Sequence, residues 1–224
     1  MHQSKDYLIS NQALILPLIM LTALILATMS FFNEIETIKE NAKSTIDGRV
    51  THLTQHMHFM SATSASLKSI FEKEYQQTYG HQNLSIKSDD FRSFPKYNLY
   101  SLEDKKAADV HGTLHILDNL NPQNIDLQRE VHSALSLDPI MDAILSEIKT
   151  ITWVYFTSKQ GILYFSPKLP IEAFQFDRNL FNKPFWVEAA PEKNPLHKPI
   201  VTEVYEDAAG QGMMLTLSNP IVIK

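Results

Sequence analysis

The sequence predicts an α+β fold, in which a long and partly membrane-spanning N-terminal helix packs on an antiparallel sheet with flanking helices. Three observations lead to this prediction. Residues 13–32 are apolar and uncharged, and residues 33–75 repeat apolar side chains at helical spacing. Residues 151–165 and 200–217 each contain two short apolar runs separated by a turn with glycine. The first two patterns are typical of helices, and the third is typical of β-hairpins.

The composition limits the classes of function that the chain can have. With 224 residues and 44% hydrophobic side chains, it can bury a sizeable core. A formal net charge of −5 provides no basic field for nucleic acid, so we predict no nucleic-acid partner. The lack of cysteine excludes disulfides, thiolate catalysis and cysteine-based zinc sites.

Residues 13–32 are long enough to cross the roughly 30 Å hydrocarbon core of a bilayer as a helix. Pro17 falls in the first turns, where a missing N–H is tolerated. A cleaved signal peptide is the alternative, but the run is long for one and lacks an Ala-x-Ala exit. We therefore predict an uncleaved transmembrane anchor. Its orientation does not follow from charge, because lysines lie on both sides of it.

The segment that follows, residues 33–77, is predicted to be a long helix continuing from the membrane. Apolar or small residues recur at steps of three and four from Ile35 to Phe71. The near-heptad spacing favours self-pairing, and packing along a sheet would satisfy the same stripe. His52, His56 and His58 lie in this segment without a nearby acid or cysteine, so we predict a solvated polar face rather than a metal site.

The middle of the chain has weaker signals. Residues 79–120 contain glycine, proline and polar clusters, and we expect loops and short helices there. Residues 125–148 predict a helix interrupted near Asp138 and Pro139, with Asp138 capping the second piece. We interpret both stretches as scaffold.

Two hairpins are predicted in the second half of the chain. Residues 151–156 pair with 162–165, and residues 200–205 pair with 213–217. Together they would form four strands of one antiparallel sheet. A helix-like aromatic segment before the second hairpin ends at Pro191.

The order of motifs from the aromatic segment onwards resembles the ligand-binding subdomain of double Cache (PAS-like) bacterial receptors. It runs from the aromatic helix and a Pro/Asn loop through Thr-x-x-Tyr-x-Asp and a glycine loop to a strand ending in proline. Amino-acid-binding members of that family hold the carboxylate with Arg-x-Trp-Tyr and the amine with Tyr-x-Asp. Residues 183–186 stand in the first position and residues 205–207 in the second. The first departs from the family motif, because Lys183 is a point charge without the planar fork of arginine.

The resemblance implies an arrangement for the whole chain. Residues 1–12 would be cytoplasmic, and residues 78–224 would form a membrane-distal sensor subdomain in the periplasm, held at the bacterial inner membrane. The long helix would contribute to a homodimer. The last strand, a membrane-proximal subdomain, a second transmembrane helix and an output domain are expected beyond residue 224. The sensor region most resembles that of receptors whose output domain is a diguanylate cyclase. A histidine kinase and a chemoreceptor are the alternatives.

The predicted ligand site lies between the aromatic segment and the sheet. Asp207 would accept a hydrogen bond from an ammonium or hydroxyl group, and Lys183 would offset an anionic group. The ligand class is left open between amino acids, amines and carboxylates. The aromatic walls could instead be ordinary core, with the two charges as a surface pair. The predicted walls are Tyr155, Tyr164, Phe185, Trp186 and Tyr205.

An enzyme and a docking surface are the two other classes of function that a chain of this kind could have. An enzyme would need a positioned nucleophile, paired carboxylates or metal ligands, and no motif in the sequence supplies them, so we predict no enzymatic activity and no cofactor. A docking surface for a periplasmic protein would be indicated by a filled pocket beside an exposed apolar patch.

Overall fold

The computed structural model describes residues 3–80, 84–174 and 176–223, with side chains from Ile15 onwards. The chain divides into two compact units, Met1–His58 and Phe59–Lys224.

The first unit is helical from Gln3 and belongs to helix α1, Gln3–Thr78. An 18-residue window of this helix has a mean hydropathy of 2.3, which is long and apolar enough to cross a membrane. The predicted apolar N-terminal helix is therefore confirmed, and residues 13–32 and 33–77 belong to one helix. Residues 1 and 2 of the predicted cytoplasmic segment lie outside the described residues.

The second unit is built on a five-stranded antiparallel sheet with the order β1-β2-β3-β5-β4. The hairpin predicted around Gly161 is confirmed as β4 and β5, in which Tyr155 is paired with Phe165. The prediction of a mixed helix and sheet fold with an antiparallel sheet is thus confirmed. The strands are β1 (Phe91–Phe94), β2 (Leu99–Leu102), β3 (Thr113–Leu117), β4 (Val154–Thr157) and β5 (Ile162–Ser166).

Three of these strands occupy the stretch for which loops and short helices were predicted. The prediction was wrong because each strand has only four or five residues and breakers separate them. The β1–β2 connection contains a 3-10 turn at Pro95–Tyr97, followed by Asn98 with a φ of 54°. Those residues predicted a loop. They did not predict that this loop joins two antiparallel strands.

Three further helices accompany the sheet: α2 (Asp104–Ala108), α3 (Ile125–Leu135) and α4 (Asp138–Glu147). The predicted interruption before Pro139 is confirmed. The predicted capping role of Asp138 is wrong. The residue at the cap position of α4 is Leu137, and the Asp138 carboxylate accepts hydrogen bonds from residues outside the helix.

Both faces of the sheet are covered by buried side chains. Alternate residues of β5 belong to two different cores, so that Tyr164 contributes to one and Phe165 to the other. The face of Tyr164, called the helix face, packs against α1, α3 and α4. There Phe71 of α1 stacks on Phe156 with 4.5 Å between ring centroids. The face of Phe165, called the cleft face, packs against apolar side chains of residues 169–174 and 176–186 and against Tyr205.

The hairpin predicted over residues 200–217 differs from expectation. It forms two short antiparallel ladders, β6 with β9 and β7 with β8, and neither belongs to the five-stranded sheet. Its side chains are too exposed for a central strand pair, since Val201 is 46% and Val204 60% exposed. Helix α5 (Pro184–Val187) precedes it, and the strands are β6 (Ile200–Val201), β7 (Tyr205–Glu206), β8 (Met213–Met214) and β9 (Leu217–Ser218).

Candidate functional site

An apolar cleft lies between the cleft face of the sheet and the β7–β8 hairpin. Its cavity volume is about 50 Å³, and a single water needs about 10–15 Å³ on a comparable measure. The cleft thus has room for a few water molecules or for a chemical group of similar size. Among the described residues, six aromatic rings, five apolar side chains and one carboxylate line it: Trp153, Tyr155, Leu163, Phe165, Phe174, Leu180, Phe185, Tyr205, Asp207, Ala208, Ala209 and Met214.

The floor of the cleft comes from the β4–β5 hairpin. Trp153 and Tyr155 are two residues apart, so they share a face, and the register places Phe165 beside Tyr155 on that face. Trp153 meets Phe165 edge to face at 6.0 Å between centroids. The pairing of β4 and β5 therefore fixes the positions of these three rings.

The rim opposite the floor is the turn between β7 and β8, which carries Asp207. The Asp207 N–H donates to the Gly212 carbonyl oxygen at 2.9 Å, which closes the turn. The Asp207 Oδ2 accepts from Trp153 Nε1 at 3.2 Å and from the Gln211 N–H at 3.1 Å. Gly210 and Gly212 have φ values of 81° and 92°, a region that glycine adopts without strain. The acid is thereby held toward the floor.

The Tyr155 and Tyr205 hydroxyls lie in the interior near Thr216. Tyr205 Oη is 2.5 Å from Thr216 Oγ1. The Tyr155 hydroxyl is fully buried and makes no hydrogen bond of good geometry with any described residue, although Tyr205 and Thr216 are close enough to influence it. Burial raises the pKa of Tyr155 well above its ordinary value, so this hydroxyl stays neutral.

The aromatic segment contributes unequally to the cleft. Phe185 is buried and lies edge to face with Tyr155 at 5.3 Å between centroids. Trp186 is directed to Phe181, with 4.8 Å between their ring centroids, and does not line the cleft. The structure therefore places Phe185 in the predicted site and Trp186 outside it, against Phe181.

Lys183 and Tyr164 also lie away from the cleft. The Lys183 Nζ is 3.5 Å from the main-chain oxygen of Glu206, outside the lining residues. Tyr164 is completely buried on the helix face, where its hydroxyl donates to Asp138. Burial, followed by its interaction with Asp138, raises the pKa of Tyr164.

Of the seven predicted site residues, four meet at the cleft: Tyr155, Phe185, Tyr205 and Asp207. Sequence analysis missed Trp153, Phe165 and Phe174. Trp153 could have been predicted, because side chains two residues apart in a strand lie on the same face and Trp153 therefore shares the face of Tyr155. The same alternation places Tyr164 opposite Phe156, on the other face, once the hairpin register is known.

Histidine and acidic side chains do not cluster at this cleft in the part of the chain that the structure describes. Within the described residues, no group of three or more histidine or acidic side chains is arranged to hold a metal ion. Among the described residues that line the cleft, Asp207 is the one carboxylate, and none of them is a lysine, arginine or histidine. The arrangement can therefore hold an apolar group that carries one hydrogen-bond donor or positive charge.

Comparison with protein-family models, with curated proteins and with solved structures finds no match. The likeness to double Cache receptors therefore rests on the motifs in residues 181–220.

Proposed function

We propose that the chain is the ligand-sensing part of a membrane-anchored bacterial receptor. The observation that carries the proposal is the aromatic cleft with Asp207 at its rim. Apolar walls with a few convergent polar groups are typical of small-molecule sites. In this proposal residues 78–224 form a Cache-like sensor in the periplasm, and α1 holds it at the inner membrane.

Two features support the anchored arrangement. The apolar window of α1 has the length and hydropathy of a membrane span. The same helix continues to Thr78, and near its C-terminal end Phe71 stacks on Phe156 of the sheet. Ligand occupancy would therefore be passed to the membrane along α1. Periplasmic placement and an output domain of the diguanylate cyclase type rest on the family resemblance, with a histidine kinase or a chemoreceptor as alternatives.

Binding fits the cleft better than catalysis does. Acid–base or nucleophilic chemistry needs at least two reactive groups within hydrogen-bond reach of each other. In the lining, Asp207 accepts from the Trp153 indole N–H, which has no role as a base or nucleophile. We therefore propose a site that recognises a ligand without transforming it.

Ligand-dependent stabilisation of the full chain tests this proposal. The chain, purified in a nonionic detergent, would be screened by thermal unfolding against amino acids, amines and carboxylates. A ligand present at 100 times its Kd stabilises the folded state by about 2.7 kcal/mol. We expect Asp207→Ala to lose most of that stabilisation and Glu206→Ala, a change at an exposed neighbour, to retain it. If the ligand stabilises the Asp207→Ala variant as much as the unchanged protein, the ligand does not bind at Asp207 and the proposed site is wrong.

A docking surface is the second candidate function, and exposed apolar side chains favour it. Leu196, Val204 and Met213 are 72%, 60% and 69% exposed. Exposed apolar side chains mark a surface for another protein where they form a contiguous patch. Replacement of Val204 and Met213 by serine should abolish capture of a periplasmic protein if this surface is used, and should leave small-molecule binding unchanged.

A further inference from the structure

A second cavity lies at the end of the sheet where the β1–β2 turn meets the end of β3. Its volume is about 410 Å³, whereas that of the cleft beside Asp207 is about 50 Å³. Small-molecule sites usually have roughly 300–1,000 Å³, so this second cavity has the size that a whole ligand needs. We call it the turn cavity. Among the described residues, 97–98, 117–119 and 176–178 line it.

The turn cavity has an apolar base and a fixed backbone. The Asp118 N–H donates to the Asn98 carbonyl oxygen at 3.1 Å, which ties the segment after β3 to the β1–β2 turn. Leu117 and Phe176 are only 7% and 1% exposed, so their side chains form the base of the cavity. The polar residues of the lining therefore surround an apolar surface.

Most of these polar side chains have no partner within the described part of the chain. Asp177 is partly engaged, since its carboxylate accepts from the Asn179 main-chain N–H at 2.8 Å. The others are exposed, and their side chains make no hydrogen bond or ion pair with another described residue: Asn98, Asp118, Asn119 and Arg178. A ligand in the turn cavity can reach these groups without breaking a contact of the protein.

The chemistry of the lining favours a neutral ligand with several hydroxyl groups. A hydroxyl group donates to a carboxylate such as Asp118 and accepts from the Arg178 guanidinium, and asparagine amides can do either. A phosphate or a polycarboxylate would meet two acids beside one cation, and an ammonium ion would meet Arg178. A wholly apolar ligand would take the polar side chains out of water without replacing their hydrogen bonds.

We infer that the turn cavity binds a monosaccharide or a cyclic polyol of the same size. The hydroxyl groups of the ring bind Asp118, Arg178 and the two asparagines, and one C–H face of the ring lies on the apolar base. This inference goes beyond the proposed sensing function, because no residue of the turn cavity lines the cleft at Asp207.

Hexoses and a ring without their secondary hydroxyl groups test the inference on the full chain. The chain would be purified in a polyoxyethylene detergent, which has no sugar head group. Ligand-detected NMR titration would compare glucose, galactose and mannose with tetrahydropyran-2-methanol. We expect at least one hexose to bind at least about tenfold more tightly than the deoxygenated ring, because hydrogen bonds to charged groups are lost with the hydroxyls.

Variants locate this binding on the chain. Asp118→Ala and Arg178→Ala should each weaken hexose binding at least about tenfold, and both residues are exposed, so the fold should persist. Asp109→Ala, another exposed acid, is the matched control and should bind as the unchanged protein does. Asp207→Ala should also keep hexose binding, since Asp207 belongs to the cleft.

Three results would overturn the inference. The first is that no hexose binds more tightly than the deoxygenated ring. The second is hexose binding that survives both Asp118→Ala and Arg178→Ala. The third is tighter binding of glycine or inorganic phosphate that depends on these two residues, because the ligand would then be charged. None of these results bears on ligand stabilisation that depends on Asp207, so the failure of this inference and the failure of the proposed sensing function are distinguishable.

Discussion

A single carboxylate, Asp138, joins three separate segments of the second unit. It is 4% exposed and accepts from the His111 N–H at 3.0 Å, from the Gly112 N–H at 3.1 Å and from the Tyr164 hydroxyl. The His111 ring Nδ1 is 2.9 Å from its other oxygen. Burial alone would raise the pKa of Asp138, but the hydrogen bonds from Tyr164 and His111 bring it below its ordinary value. The acid is therefore ionised in the folded protein at neutral pH.

Replacement of this carboxylate by an amide should cost much of the stability of the second unit. In Asp138→Asn the side-chain NH₂ would face N–H and O–H donors, which leaves buried groups unpaired. We expect a loss of about 2–4 kcal/mol in the free energy of unfolding, measured with urea. Asp142→Asn, at an exposed position of α4, is the matched control and should change it by less than about 0.5 kcal/mol. Equal effects of the two changes would contradict the role of Asp138.

His115 is a buried imidazole among aromatic rings. It is completely buried, stacks with Phe174 at 6.1 Å between centroids, and lies edge to face with Phe165 at 5.6 Å. Neither ring nitrogen has a hydrogen-bond partner among the described residues. Burial lowers the pKa of His115 from 6.5 to about 4, so the folded state holds it neutral.

This histidine should make the second unit sensitive to acid. Below pH 6.5 the unfolded chain takes up a proton at His115, whereas the folded chain does so only near pH 4. The unfolded state is therefore favoured progressively as the pH falls through this window, by about 3 kcal/mol at its lower end. We expect His115→Phe to raise the free energy of unfolding relative to the wild type, and we expect this gain to be larger at pH 4.5 than at pH 8. Urea unfolding at both values measures this, and a gain independent of pH would contradict the titration.

The β4–β5 hairpin is the element that positions the floor of the cleft. Its turn is closed by the Gly161 N–H donating to the Ser158 carbonyl at 3.0 Å and by the Ser158 N–H donating to the Ile162 carbonyl at 2.8 Å. Gly161 has a φ of 119°, and a Cβ there would lie 2.7 Å from Leu117 Cδ1 on the neighbouring strand. This turn therefore needs glycine for both its backbone and its packing.

An alanine in this turn should weaken the hairpin and the cleft together. Gly161→Ala combines an unfavourable φ with a steric overlap, and we expect a loss of about 2–3 kcal/mol in unfolding free energy. Gly48→Ala is the contrasting change, because it lies in α1 with nothing within 4 Å of the added Cβ and alanine favours a helix. Similar losses in both variants would show that the turn has no special requirement.

The cleft face shows what a strand pattern can and cannot predict. The alternation along residues 151–165 predicts which residues of one strand share a face, and the hairpin followed from its turn residues. It does not say which residue of the partner strand lies opposite, so Tyr164 was assigned to the cleft although the register places Phe165 there. Strands β1 to β3 were missed for a related reason, because runs of four or five residues carry little periodicity.

For the whole molecule, the apolar window of α1 predicts integration into a membrane. We expect the full chain to resist extraction by alkaline carbonate. Leu21→Lys together with Leu24→Lys should release it, since each lysine near the centre of a span costs about 3 kcal/mol. Ile38→Lys together with Ile46→Lys, outside residues 13–32, should leave the chain in the membrane. Extraction of the unchanged protein would argue against an anchor.

The exposed apolar stripe of α1 predicts a homodimer. Ile46, Val50 and Leu53 are 60%, 57% and 61% exposed and recur at coiled-coil spacing. Since the chain has no cysteine, one introduced cysteine can form a disulfide only between two chains. We expect Leu53→Cys to cross-link on mild oxidation in membranes and Gln55→Cys, on the opposite side of the helix, to do so far less. Equal cross-linking at both positions would contradict a specific helix pair.

The sequence by itself determined the long apolar helix, the break at Pro139 and the β4–β5 hairpin, because each depends on residues close together along the chain. Only the tertiary structure decided which rings meet around Asp207, which strands complete the sheet, and why Asp138 is buried as an anion. Those features depend on strand register and on contacts between distant segments, such as Trp153 with Asp207. Such contacts are set by burial and hydrogen bonding across the whole unit, and no local pattern of residues encodes them.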